Sequence, residues 1–145
     1  MRTIKKNVYY CDFCGKRSLS AGFMSKHEKH CTVNPNRECG LCKSSLDIAP
    51  FIEQLKSRFR IIEIMDEDIP EITYHKVEWA GNPITLKEIL RFTDGCPNCT
   101  FSILRQTKLN YAVFDFKYDY IKELKAWWSD INDELRRADE RSSFY

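Results

Sequence analysis

No apolar run in this chain of 145 residues comes near the roughly 20 that cross a bilayer, so no membrane span is expected. The opening "MRTIKKNVYY" is basic but has no apolar stretch behind it, so no secretory signal is expected either. Low-complexity tracts are missing, as are internal repeats beyond a set of paired cysteines. No charge of one sign dominates, since the formal net charge is +2. With 43% hydrophobic and 30% charged residues, the composition is that of a folded chain rather than a disordered one. These absences point to a soluble protein of a reducing, intracellular (cytoplasmic) compartment.

What is abundant is cysteine. There are seven, an odd number, and six fall in Cys-x2-Cys pairs: Cys11/Cys14, Cys39/Cys42 and Cys96/Cys99. Disulfides do not persist in a reducing compartment, whereas this spacing lets two thiolates grip one ion. The charge is also uneven. Residues 1–43 hold nine Lys/Arg and three Asp/Glu, or +6; residues 44–145 hold fourteen and eighteen, or −4. Seven thiolates and two divalent ions would add −3 and bring the total to −1, so only the front end is basic. A basic patch there can meet phosphates.

Along the chain, "TVNPNRE" reads as a turn-rich connector from Cys31 to Cys39. In "DIAPFIEQLKSRFRII", Ile48, Ile52, Leu55, Phe59 and Ile62 step by four and three, predicting one long helix face, with Asp47 as cap and Pro50 in the first turn. "MDEDIPE" is an acidic break. "EITYHKVEW" alternates through Ile72, Tyr74, Val77 and Trp79 and predicts a short strand, followed by an "AGNP" turn. Thr85 with Glu88 spells a capping box, Ile84 with Ile89 a hydrophobic staple, and Gly95 a helix stop. The strongest helix is the tail, where Ile121, Leu124, Trp128, Ile131, Leu135 and Ala138 form a stripe and Arg136, Arg137 and Arg141 suit the dipole at its end. That stripe is expected to pack on the chain's own core; a coiled-coil seam is the alternative, over fewer heptads than usually sustain one.

A tetrahedron of soft or borderline donors is what Zn²⁺ prefers. Cys11-x2-Cys14 supplies two from one turn. His27 and Cys31, four apart, share a helix face and supply the other two. His30 is the spare, three residues from His27. The pattern Tyr9-x-Cys11-x2-Cys14-x12-His27-x3-Cys31 resembles the two-Cys/two-His zinc fingers, in the variant whose last ligand is Cys, over about 23 residues. The resemblance implies a β-hairpin packed on a helix. The family's core aromatic is replaced by Ser18, so Leu19 or Phe23 is expected to fill its place, and Met24 stands for the family's leucine. The run "KHCTVNPNRECGLC" also looks like small zinc-finger proteins encoded by bacteriophages.

In that family, three helix positions touch bases, and here they carry Ser20, Phe23 and Lys26. Phe23 offers no hydrogen bond to a base edge, and one finger covers only about three base pairs. Sequence-specific duplex reading is therefore not expected. Lys16, Arg17, Lys26 and Lys29 are expected to hold phosphates without specificity.

Cys39-Gly-Leu-Cys42 and Cys96-Pro-Asn-Cys99 together make a closed four-thiolate set. The 53-residue gap between them is long, but loop closure costs grow slowly with length. Two separate redox-active dithiols, or an ion shared between two chains, are the alternatives. Closed four-ligand sites leave no place for a catalytic water. The chain has no His-Glu-x-x-His, and His75-x-x-Glu78 does not meet the His-x-Glu of zinc deaminases. The order Cys39/Cys42, His75, Asn82, Cys96/Cys99 resembles the His-Asn-His endonucleases, but Tyr74 and Thr100 stand where that family helps its metal.

The expected fold is α+β and mostly helical: a ββα zinc finger (1–35), then a helical body (36–145) with a four-cysteine zinc site and a C-terminal helix over about 117–141. Two structural zinc ions are expected, and no enzymatic activity. The expected role is a nucleic-acid-binding accessory or regulator, with a protein–protein interaction module (such as a phage factor redirecting a host protein) as the alternative. An endonuclease is the third reading. The chain is expected to be a monomer, or a dimer through its C-terminal helix.

Overall fold

The computed structural model describes residues 1–42, 47–109 and 118–142, with Ser142 by its backbone alone. Among the described residues the architecture is mixed α+β, with two small antiparallel hairpins and five helices. The N-terminal hairpin pairs β1 (Tyr9–Tyr10) with β2 (Arg17–Ser18), and α1 (Ala21–His30) follows. Ser20 starts α1, its Oγ accepting from the Phe23 amide at 3.2 Å.

The body begins with α2 (Ala49–Lys56), where Pro50 occupies the first turn and the Asp47 carboxylate accepts from the Ala49 amide at 3.0 Å. The long helix expected through Ile62 stops at Lys56. Phe59 and Ile62 belong instead to β3 (Phe59–Met65), which pairs residue for residue with β4 (Thr73–Trp79). Tertiary pairing overrides the helical spacing here, because "RIIEI" is β-branched and finds a partner strand of equal length. Phe59 faces Trp79 in register with ring centroids 5.2 Å apart. The acidic break is the hairpin loop, in which Asp66 Oδ1 accepts from the amides of Asp68 and Ile69 at 2.9 and 3.0 Å.

The capping box forms on α3 (Leu86–Phe92): the Glu88 amide donates to Thr85 Oγ1 and the Thr85 amide to Glu88 Oε2. Gly95, at φ +71°, reverses the chain and donates to the Leu90 carbonyl at 2.8 Å. This delivers Cys96 directly to the start of α4 (Pro97–Gln106). One core joins these elements. Ile52, Leu55, Ile84, Ile89, Ile103 and Leu104 are buried together, with Phe51 stacked on Phe92 at 4.1 Å along its edge.

The last element, α5 (Tyr120–Ser142), lies against α4 along its first half only. Its docking stripe is Tyr120, Leu124, Trp127 and Ile131. Tyr120 stacks on Phe101 at 4.5 Å and donates to Asn98 Oδ1 at 2.7 Å. From Asn132 to Arg141 every residue is exposed. Of the stripe expected to pack on the core (Ile121, Leu124, Trp128, Ile131, Leu135 and Ala138), Leu124 and Ile131 are half-buried, and the expectation is corrected for Ile121, Trp128 and Leu135, which are 58%, 49% and 61% exposed. The helix is rotated so that Trp127, not Trp128, faces the body. Of the expected helix over about 117–141, residue 117 lies outside the described residues, and the helix begins at Tyr120.

Candidate metal centres

The first cluster is built by a knuckle and a helix. The Cys11 amide donates to the Lys16 carbonyl at 2.8 Å and the Gly15 amide to the Cys11 carbonyl at 2.9 Å, with Gly15 at φ +72°. That tight turn aims Cys11 and Cys14 the same way. On α1, Met24 and His27 share one face, and Cys31 at the helix end continues it. The donor atoms of Cys11, Cys14, His27 and Cys31 all lie within 4.8 Å of one another. Cys14 Sγ stands 3.1 Å from His27 Nε2. His30 turns away, its Nδ1 placed 3.0 Å from the Glu38 carbonyl.

The small core under this cluster is Met24 with Val33, packed on Cys11 and Cys31. Neither Leu19 nor Phe23 fills it. They are 62% and 52% exposed, because residue 24, not residue 23, shares the helix face of His27. Phe23 lies instead beneath the Lys16 ammonium, 5.3 Å from its ring centroid.

The second cluster joins distant chain segments. Cys96 caps α4 and Cys99 sits in its first turn, while Cys39 and Cys42 come from the connector after α1. Cys39 Sγ is 3.6 Å from Cys96 Sγ, and Cys42 Sγ is 3.8 Å from Cys99 Sγ. All four sulfurs fall within the same 4.8 Å limit. The seven cysteines of the chain are free thiols in this structure, with no disulfide among them.

The thiols respond differently to their surroundings. Burial pushes Cys31 up to about 11. Cys14 is drawn down to about 7: burial opposes ionisation, but the Lys16 backbone amide and the His27 ring outweigh it together with the neighbouring thiols. In the second cluster, hydrogen bonds from Cys96 and Cys99 hold Cys39 well below the usual thiol range. The same contacts push Cys96 up. One thiolate shared among thiols is what a metal-free donor set settles into, and a divalent cation would draw all four to the ionised form.

Around the second cluster stand groups that the motif does not contain. Arg37 Nη1 donates to Cys99 Sγ at 3.8 Å, and Trp127 packs on the cluster from α5. Each also buries a side-chain N–H, Arg37 Nε and Trp127 Nε1, that has no hydrogen-bond partner. A guanidinium that donates to a sulfur fits a site that carries net negative charge. Their signal in the sequence is weak, since neither is spaced like a ligand.

α4 also reaches the first cluster. Arg105 Nη1 donates to Thr32 Oγ1 at 2.8 Å, and Gln106 Nε2 donates to the carbonyls of Thr32 and Asn34. The segment just after Cys31 is thus held by the helix whose other end carries Cys96 and Cys99.

Of the basic residues expected to hold phosphates, Lys29 forms an exposed ion pair with Glu38 at 3.0 Å, Lys16 covers Phe23, and Arg17 and Lys26 are exposed on β2 and α1. His75 is exposed on β4 and belongs to neither cluster. Four residue steps of strand, about 13 Å, separate it from Trp79, before the turn that carries Asn82. No helix among the described residues is long and apolar enough to cross a membrane. No family model matches the chain, and neither a curated protein nor a solved structure is significantly similar to it.

Proposed function

We propose that this chain is a non-enzymatic zinc protein, a nucleic-acid-binding accessory or regulator whose shape depends on two structural Zn²⁺ ions. The observation that carries the metal assignment is the sulfur spacing in the second cluster. Four sulfurs about 2.3 Å from a tetrahedral Zn²⁺ stand about 3.8 Å apart, and here the Cys39–Cys96 and Cys42–Cys99 pairs stand 3.6 and 3.8 Å apart. The first cluster offers three thiols and an imidazole, another donor set that suits this ion. Its Cys14–His27 edge, at 3.1 Å, would open by about half an ångström to seat it. Four protein donors at each centre leave no coordination position for a reacting water, which favours a structural over a catalytic role.

The nucleic-acid reading rests on charge. The segment carrying the first cluster has a formal charge of +6 over residues 1–43 before its thiols ionise, and Arg17 and Lys26 project into solvent from it. The test is binding of zinc-loaded protein to single- and double-stranded oligonucleotides over a range of salt. Phosphate contacts predict a log-linear loss of affinity with log salt. A flat salt response, or no binding at low salt, overturns the reading.

One observation favours a second reading, a protein-interaction module. Ile121, Trp128 and Leu135 recur every seven residues along α5 and are exposed. This exposed stripe is a surface on which a second helix can pair, from a second copy or from another protein, such as a host protein met by a phage product. Association that persists at high salt and is lost in Trp128→Ser would favour this reading. The endonuclease reading has least support, because His75 joins no donor cluster among the described residues.

A further inference from the structure

A cleft of about 610 Å³ opens between the first metal knuckle, the β3–β4 hairpin and the C-terminal end of α4. Its size is that of a small-molecule site. Phe13, Val33 and Ile61 give it apolar walls, and His75, Arg105 and Lys108 bring polar groups to the same space; Cys14 completes the lining. No carboxylate is among these residues. Asp12, beside Phe13 in the knuckle, and Glu63, opposite His75 in the strand register, do not line the cleft.

The cations are arranged differently from those of an ordinary solvated surface. Arg105 is half-buried and fixed twice, by its hydrogen bond to Thr32 and by its guanidinium 5.5 Å from the Phe101 ring centroid. A guanidinium held this way keeps further N–H donors and loses little entropy on meeting an anion. Lys108 follows α4 with a left-handed backbone, φ +61°, and pairs with no acid among the described residues. Phe13 lies between two metal ligands, so its backbone is held by the knuckle, yet its ring is 41% exposed. A fixed, accessible aromatic beside cations is how proteins stack bases of single-stranded nucleic acid. A carboxylate ligand would use one cation; two cations lining one cleft suit the double charge of a phosphate monoester.

We propose that this cleft binds a phosphorylated nucleotide, its base against Phe13 and the apolar wall, its phosphate between Arg105 and Lys108. The inference deepens the nucleic-acid reading and rests on it. The same chemistry is presented by the 5′-phosphorylated end of a single strand and by a free mononucleotide.

The experiment uses the full zinc-loaded chain, isotope-labelled for amide NMR. It is titrated with thymidine monophosphate, a short 5′-phosphorylated oligothymidylate and the same oligomer without the phosphate. The expected result is that the phosphorylated ligands shift the amides of Phe13 and Lys108 and bind roughly tenfold or more tighter than the unphosphorylated oligomer. Lys108→Gln loses that preference, and Phe13→Leu weakens all ligands, with zinc content unchanged in both. Binding of the monophosphate as tight as that of the oligomer assigns a free nucleotide; clearly tighter oligomer binding assigns a strand end; either upholds the site. Equal affinity with and without the phosphate, or no effect of Lys108→Gln, overturns it. If the oligomer still binds with a steep salt dependence that Arg17→Gln and Lys26→Gln reduce, the cleft alone has failed and the broader reading stands.

Discussion

The Sγ atoms of Cys39 and Cys96 stand 3.6 Å apart, although 57 residues separate them in the chain. Between these two sulfurs the chain builds α2, the β3–β4 hairpin and α3 before returning. A single ion bound there would tie the connector after α1 to the start of α4. Loop closure at this length costs only slightly more than at half of it, whereas structural zinc contributes on the order of 10 kcal/mol.

Replacing Cys96 by serine is therefore expected to remove one metal equivalent and keep the other. The second cluster loses a donor that is buried to 1% exposure, while the first cluster stays complete. Because Trp127 packs on that cluster, its emission should move toward that of a solvated indole, with Trp79→Phe and Trp128→Phe as background. Metal content by elemental analysis and emission spectra check both parts; full retention of metal would contradict the assignment.

Zinc affinity at the first centre should rise with pH. The ion needs thiolates, and burial holds the Cys31 thiol up to about 11 in the metal-free chain, so binding at neutral pH must displace its proton. Cys14, drawn to about 7, contributes a smaller proton penalty. Competition with a chelator between about pH 6 and about pH 8 should show tighter binding at the alkaline end. For the metal-free fold the sign is reversed: a thiol whose value is raised on folding favours the fold below the ordinary thiol range. That advantage is lost as pH rises through about 11.

The docked and the exposed faces of α5 should behave differently. Trp127→Ala removes a half-buried ring from the second cluster and is expected to cost on the order of 2 kcal/mol. Leu135→Ser changes a side chain that is 61% exposed and should leave stability within about 0.5 kcal/mol. Denaturant unfolding of the zinc-loaded variants separates them; equal losses would mean that the exposed stripe is packed in solution.

In the body, Ile89→Ala should be among the most damaging substitutions outside the clusters, about 2–5 kcal/mol, because Ile89 is fully buried. Thr85→Ala, which removes only the cap of the same helix, should cost about 1 kcal/mol. Thermal unfolding should reproduce that order.

Features with a short range were legible in the sequence. The Thr85/Glu88 box, the Gly95 stop, the β4 alternation and the two donor sets all depend on spacings of a few residues or on the chemistry of thiols. The features misread depend on pairing at a distance. Phe59 and Ile62 continue a helical pattern, and only the matching length of β4 turns them into strand. The apolar stripe of α5 is real, yet α4 accepts the neighbouring stripe through Tyr120 and Trp127. Arg37 and the Arg105–Thr32 bond carry no local pattern, so nothing in the spacing could announce them.

The claim beneath the whole account is that metal coordination organises this molecule. Its most direct measurement is native mass spectrometry of freshly purified chain, paired with counting of reactive thiols before and after a strong chelator. The account predicts a mass increment of two zinc ions per chain and thiols that become reactive only on chelation. A chain that carries no metal, or one whose thiols are consumed in sulfur–sulfur bonds, would contradict it.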